Sequence, residues 1–388
     1  MNNNHSIVAV VKCQTYTRSD VQKAVRIGIE LIGGLSTVFS NNEQNLLLKP
    51  NALSGKTPDK CVTTHPEVFR AVAQLLQESS FQLTYGDSSA IGKISSVFTK
   101  IGIKPVADEL NIPLADFENG QMVSFPEGHR IKQFNLANAV SDCDAIISLP
   151  KLKTHNLTRM TGAVKNQFGC IPGFSKPEFH VKLPDAQHFS EMLVDLNRLL
   201  KPKLFVMDAI QSMEGNGPGS GDPVNTGFLL FSTDPVAMDS VACLIINIQP
   251  ERVPTNKIGA ERELGICDIN RIRIVGDDWH QFVQKDFNIS RGPQIENGSS
   301  WKYRLARKLL TSKPVINPKL CQKCNVCVEQ CPVVPKALFL KDGKRPRPPV
   351  FDYQKCIRCY CCQEVCPHGA LYAYVPLTRK IFDFVYPF

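Results

Sequence analysis

The chain has 388 residues, of which 43% are hydrophobic and 21% charged, and a formal net charge of +9 at pH 7. That balance is ordinary for a soluble globular protein of two or three domains, and the length is enough to bury a substantial core. No uninterrupted apolar run approaches the length that crosses a bilayer. Met1–Val11 lacks the basic flank, long apolar core and small-residue cleavage site of a secretory signal, so a cytoplasmic protein without a membrane span is expected.

Residues 6–12 (SIVAVVK) form an apolar, β-branched run that predicts a strand, and Val21–Ile32 has helical periodicity. Asn45–Leu48 predicts a second strand, which runs into Lys49, Pro50 and Asn51. Thr64-His65-Pro66-Glu67 carries the polar cap and first-turn proline of a helix start. Phe81–Tyr85 reads as a strand ending on Gly86-Asp87-Ser88-Ser89, and Ala145–Leu149 as one that leads into the loop Pro150-Lys151-Leu152-Lys153-Thr154-His155. A helix over 185–200 precedes a strand at Leu204–Met207, then Asp208 and a glycine-rich loop from Glu214 to Gly221. Strand Phe228–Phe231, helix Pro235–Ile246 and strand Arg271–Val275 complete the series. Strands alternating with helices predict an α/β fold over 1–278, a mostly parallel sheet with flanking helices. In such sheets ligands bind beyond the carboxyl ends of the strands.

Residues 279–316 lose this rhythm and are expected to be a basic linker, with an amphipathic piece around Trp301–Leu310. A small α+β domain is expected over 317–388, with a hairpin turn at Asp342-Gly343 and an aromatic tail, Ile381–Phe388, packed back on the protein. This last region holds the most specific signal in the chain. Cys321, Cys324, Cys327 and Cys331 precede Pro332, and Cys356, Cys359, Cys362 and Cys366 precede Pro367. Both runs read C-x2-C-x2-C-x3-C-P, the spacing of the bacterial two-cluster ferredoxin, in which the fourth cysteine of each run ligates the other cluster. One [4Fe–4S] cluster is therefore expected on Cys321, Cys324, Cys327 and Cys366, and a second on Cys356, Cys359, Cys362 and Cys331. A disulfide framework suits small secreted domains instead, and zinc sites use pairs or cysteine–histidine mixtures. Cys361 is out of register with both gaps and reads as a packing cysteine beside the cluster, or else as an alternative ligand.

A cationic segment, LPKLKTHNLTRMTGAVKNQFG at 149–169, is interleaved with small polar residues and has no acid. Lys151, Lys153, His155, Lys165 and Asn166 suit a carboxylate or phosphate through charge-assisted hydrogen bonds, although runs of charge are often only solvated loops. Lys49, Asn51 and Asp87 stand at other strand ends and would join them in one cleft. Asp208 and Glu214 are candidate proton carriers, against the plainer reading of end caps, and Asn216 lies in the glycine-rich loop. That loop matches neither the Walker motif nor the dinucleotide fingerprint. The basic stripe from Lys302 to Arg347 reads as a solvated face or a docking face for an acidic redox partner. It has no nucleic-acid recognition motif.

The segments LKPN at 48–51, GDSS at 86–89, LPKLKTH at 149–155, TGAVKNQFG at 161–169, EGNGP at 214–218 and DPVAMD at 234–239 resemble the family called domain of unknown function three-six-two. The run CIRCYCCQEVCPHGAL at 356–371 resembles the ferredoxin module commonly fused to it. The resemblance spans about residues 6–277 and 317–375 and implies a probable redox protein of unsettled activity. Together these readings set three expectations. The first is an oxidoreductase whose two clusters exchange single electrons with an anionic substrate or cofactor, with Asp87, His155, Asp208 and Glu214 as catalytic candidates. The second is an electron carrier whose N-terminal domain docks a partner enzyme. The third is a non-redox binding or isomerase-type protein with structural or sensory clusters.

Overall fold

The computed structural model describes residues 5–90, 92–173, 176–292, 309–341 and 347–385. Most of the amphipathic piece expected around Trp301–Leu310, the Asp342-Gly343 turn and the last residues of the aromatic tail lie outside the described residues. The strands are β1 (Ser6–Lys12), β2 (Asn45–Pro50), β3 (Gln82–Tyr85), β4 (Gly120–Ser124), β5 (Gln133–Ala137), β6 (Ala145–Leu149), β7 (Lys151–His155), β8 (Arg159–Thr161), β9 (Leu204–Glu214), β10 (Asp222–Ser232) and β11 (Ile272–Gly276). Nine of these form one sheet in the order β11-β1-β10-β9-β6-β2-β3, with β7 running beside β9 and carrying β8. Five of its pairings are parallel, while β10 is antiparallel to both β1 and β9 and β8 is antiparallel to β7. The sheet is mixed and mostly parallel, with helices on both faces.

Alternation along the strands explains the two faces. Ala9, Val11, Val206, Leu229 and Phe231 point to one side, where they meet the helices Arg18–Leu31 and Pro66–Glu78. Val8, Val10, Phe205, Met207, Phe228 and Leu230 point to the other, against helix Pro235–Ile245. Strands buried on both faces read as continuous apolar runs, which is why the chain shows them so plainly. Helix Pro66–Glu78 begins at a proline, with the His65 ring as its cap accepting from Glu67 N at 3.1 Å.

Two differences from the expected elements matter for the site. Lys151–His155 is a strand, not the loop that follows one, and all five of its residues are buried. The glycine-rich stretch Glu214–Gly221 is the tip of a long hairpin, because β9 and β10 each run for eleven residues and pair antiparallel.

In the C-terminal region, β12 (Lys313–Ile316) pairs with β15 (Leu371–Tyr374), and β13 (Leu338–Phe339) with β14 (Val350–Phe351). The described parts of 279–316 are not a free connector. Phe282, Phe287 and Ile289 enter the core of the α/β sheet, and 313–316 belongs to the cysteine module as β12. No helix among the described residues is long and apolar enough to cross a membrane.

Candidate functional site

The two cysteine runs are built alike. In the first, Lys323 and Asn325, on either side of Cys324, have φ of 57° and 67°; in the second, Arg358 and Tyr360 flank Cys359 at 61° and 63°. Left-handed backbone is uncommon for residues other than glycine, so its repetition at matched positions marks a loop wound for a purpose. Each loop then enters one short helical turn, Val326–Glu329 or Cys361–Glu364. Cys321, Cys324, Cys327 and Cys366 line one recess of about 340 Å3, open mouth included, together with Ile316, Pro367 and Leu371. The fourth of these cysteines comes from the other run, the crossing that the spacing predicts.

Burial, reinforced by Cys366, Cys324 and Cys321, pushes the Cys327 thiol up to about 12. Burial, followed by Cys359, Cys356, Cys327 and Cys331, holds Cys362 well above its ordinary value. Thiols crowded in this way need a cationic centre to become thiolates. Among the described residues no three histidine, cysteine or carboxylate side chains converge on a single ion. Sulfurs spread around a recess suit a cage, and the donor set fits an iron–sulfur group.

The second feature is a cleft of about 820 Å3 of empty space, open mouth included, between the α/β domain and the second cysteine loop. One wall carries Asn51, Asp87, Lys153, Lys165, Asn166, Phe168, Lys176 and His180; the other carries Cys361, Glu364 and Val365. Lys153 is 1% exposed. Its Nζ donates to Asn51 Oδ1 at 2.9 Å and to the Val62 carbonyl. Asn51 in turn donates to Asn166 Oδ1 at 3.0 Å, and Asn166 donates to Ser148 Oγ at 2.9 Å. The ammonium groups of Lys165 and Lys176 each stand 5.9 Å from the centroid of the Phe168 ring. Burial brings the Lys176 pKa down to about 8. The His180 ring stacks on Phe189, with its buried Nδ1 lacking a hydrogen-bond partner.

Behind this wall lies His155, whose Nδ1 accepts from the backbone N–H groups of Leu157 and Thr158 at 3.1 and 3.2 Å. That leaves its hydrogen on Nε2, which faces Glu364 Oε1 at 2.9 Å, off the axis of a straight hydrogen bond. Burial first, then Lys165, drives the His155 pKa down to about 4, so the ring is neutral at pH 7. Glu364 goes the other way. Burial alone would raise its pKa, but His155 and Lys165 hold it at about 2.

The hairpin tip seats the cysteine module. Gln363 donates to the Asn216 and Gly217 carbonyls at 2.8 and 3.1 Å, and Asn216 Nδ2 donates to Leu371 O at 2.9 Å. A side chain at Gly219 would place its Cβ 2.9 Å from the Glu364 carbonyl, which explains glycine at that close approach.

The structure thus brings Asn51, Asp87, Lys153, Lys165 and Asn166 to one cleft, with His155 directly behind. Lys49 stands behind Asp87, paired at 2.8 Å, and Gly169 leaves the space that this pair occupies. The other four candidates lie elsewhere. Lys151 pairs with Asp208 at 2.8 Å in a closed buried knot, in which Tyr16 bonds to both and stacks on His65. Glu214 accepts from Asn288 N at 2.8 Å, and Asn216 serves the module seat. Lys176, His180 and Glu364 are cleft residues that the sequence reading did not single out, and Cys361, read there as a packing cysteine, lines the cleft as well. Lys176 and His180 do stand four apart on one helix, Lys176–Lys182, a spacing that places both on one face.

Comparison with known proteins agrees with this division. Residues 46–244 match the model of the domain of unknown function DUF362, and residues 312–370 match that of a 4Fe-4S dicluster domain. A thylakoid-associated protein of Synechocystis sp., sll1697, is 36% identical over 260 residues, which are 67% of this chain and 79% of the relative. Among solved structures, the lactate racemase apoprotein of Thermoanaerobacterium thermosaccharolyticum aligns with a TM-score of 0.37 at 12% identity, covering 61% of this chain and 56% of that one. A Thermotoga maritima protein aligns with a TM-score of 0.34 at 12% identity, covering 58% and 57%. Scores this low carry neither fold nor chemistry across. The matched models and the Synechocystis relative do identify the chain, which belongs to the DUF362 family and carries a C-terminal 4Fe-4S dicluster domain.

Proposed function

We propose that the protein is an iron–sulfur oxidoreductase that binds a small anionic substrate or cofactor in the cleft beneath its dicluster module. The observation that carries this reading is the shared wall. Lys153, Lys165 and Lys176 face Cys361 and Glu364, which sit among the cysteines Cys359, Cys362 and Cys366. Cys321, Cys324, Cys327 and Cys366 would hold one [4Fe–4S] cluster, and Cys356, Cys359, Cys362 and Cys331 the other. When bound, such clusters supply one-electron chemistry at potentials set by their surroundings.

The chain's own residues define the rest. Lys165 and Lys176 offer charge-assisted hydrogen bonds to an anion, and Asn51 and Asn166 fix the position of the Lys153 side chain. Glu364, held ionised with Lys165 nearby and facing the neutral His155 ring, keeps an acceptor beside the cleft. Cys324 is exposed, beside exposed Lys323 in the chain and close after exposed Lys319 and Leu320. That stretch suits an acidic redox partner.

Two measurements test the reading. Anaerobically purified protein is expected to hold about eight irons, falling to about four in Cys324→Ser or in Cys359→Ser. Small carboxylates or phosphates are expected to raise its Tm, and Lys165→Ala with Lys176→Ala to remove that shift. A zinc-only preparation, or a Tm unmoved by any such anion, overturns the proposal.

A further inference from the structure

Three lysines near the strand ends are almost wholly buried, and two of them are neutralised by a carboxylate. Lys49 has Asp87 at 2.8 Å, and Lys151 has Asp208 at 2.8 Å. Lys153 differs. Its two hydrogen bonds go to neutral acceptors, Asn51 Oδ1 and the Val62 carbonyl, and no carboxylate among the described residues pairs with it.

An ammonium has three N–H donors and no acceptor. A neutral amine has two N–H donors and a lone pair. Lys153 Nζ meets only neutral acceptors, and its protonated form would be a buried charge with no carboxylate beside it, unlike Lys49 and Lys151. Electrostatics points the same way, because burial and then Lys165 hold the Lys153 pKa well below its ordinary value. A lysine desolvated beside another cation is the standard route to an amine nucleophile at neutral pH. Lys153 also lines the cleft, where Lys165 and Lys176 provide for a carboxylate and Leu53, Phe168 and Val365 leave an apolar surface.

From this geometry we propose that Lys153 is a nucleophile that forms a Schiff base with a 2-oxo acid, whose carboxylate rests on Lys165 and Lys176 and whose apolar side chain lies against Phe168. The inference rests on the anion-binding reading of the cleft and names its substrate class. In the step, Nζ bonds to the carbonyl carbon and the carbon–oxygen double bond is broken. The oxygen leaves as water, taking one hydrogen from the amine and one proton from a neighbouring ammonium, Lys165 or Lys176. The product is an iminium that keeps one N–H. Nothing is oxidised or reduced.

The test uses the anaerobically purified, cluster-bearing full chain with 4-methyl-2-oxopentanoate and cyanoborohydride, followed by peptide mapping of the wild-type protein. The alcohol 4-methyl-2-hydroxypentanoate, which has the same carboxylate and no carbonyl, is measured in parallel by Tm shift. The expected result is a reduced adduct on Lys153 more than about tenfold above that on any other lysine, suppressed by excess of the hydroxy acid. If both acids raise the Tm and no adduct forms on Lys153, or if adducts scatter over exposed lysines, the Schiff base is overturned and the anion site stands. If neither acid moves the Tm and no adduct forms, both readings fall.

Discussion

Lys151 and Lys153 stand two residues apart on one buried strand, yet they belong to different chemistries. Each is 1% exposed. Lys151 is enclosed with Asp208 and Tyr16, and Asp208 also accepts from His65 N, so its charge is balanced by a carboxylate held in place. Lys153 has only neutral partners and faces the cleft. The separation comes from the irregularity between them: Lys151 is opposite Asp208, but Lys153 is opposite Met213, so β9 advances five residues while β7 advances two. Such bulges re-aim side chains beside functional sites. The difference teaches that burial alone does not define a role for a lysine here. The partner does.

That contrast is open to direct attack. Asp208→Ala leaves the Lys151 charge buried and unpaired, so a loss of about 3–5 kcal/mol in urea unfolding is expected, with anion binding retained wherever the protein stays folded. Lys153→Met removes no ion pair and leaves only the Val62 carbonyl and part of Asn51 unsatisfied, so about 1–3 kcal/mol is expected, together with loss of the reducible adduct. Equal destabilisation by the two variants would erase the distinction. Tyr16→Phe takes one hydroxyl from the Lys151 knot and is expected to cost about 1 kcal/mol with no change in ligand response.

The smallest effect concerns pH. The Lys176 pKa of about 8 lies below the ordinary 10.5, so the folded protein favours the neutral amine. The unfolded chain binds more protons between these values, and the contribution of Lys176 to folding rises with pH from about 8 to 10.5. An anionic ligand has the opposite preference, since it needs the ammonium. Its affinity is expected to fall as pH rises through about 8, by no more than about 1 kcal/mol, and Lys176→Arg is expected to flatten that fall.

How much of this was legible in the sequence follows the same division. The cysteine recess is spelled out locally, because one tight loop fixes the spacing of Cys321, Cys324 and Cys327, and the duplicate run supplies Cys366 at the crossing. The strands were equally plain where both faces are buried, as in 6–12. The cleft was only half legible. Lys151, Lys153 and His155 alternate along one strand and should share a face, and nothing in LPKLKTH announces the bulge on β9 that parts the first from the second. Glu364 escaped notice because its role depends on His155, more than two hundred positions away. Glu214 and Asn216 looked like site residues for a sound reason, a glycine-rich turn, but Gly219 makes its close approach to the cysteine module, while Gly217 and Gly221 pack against Thr154 and Glu214.

The seating of Gln363 on the hairpin tip has a consequence for the cleft. Cys361, Glu364 and Val365 form one side of the cleft only while the loop from Cys356 to Cys366 keeps its wound shape. The cleft wall and the second cysteine run are thus one piece of architecture, so that whatever reshapes that run also reshapes the cleft.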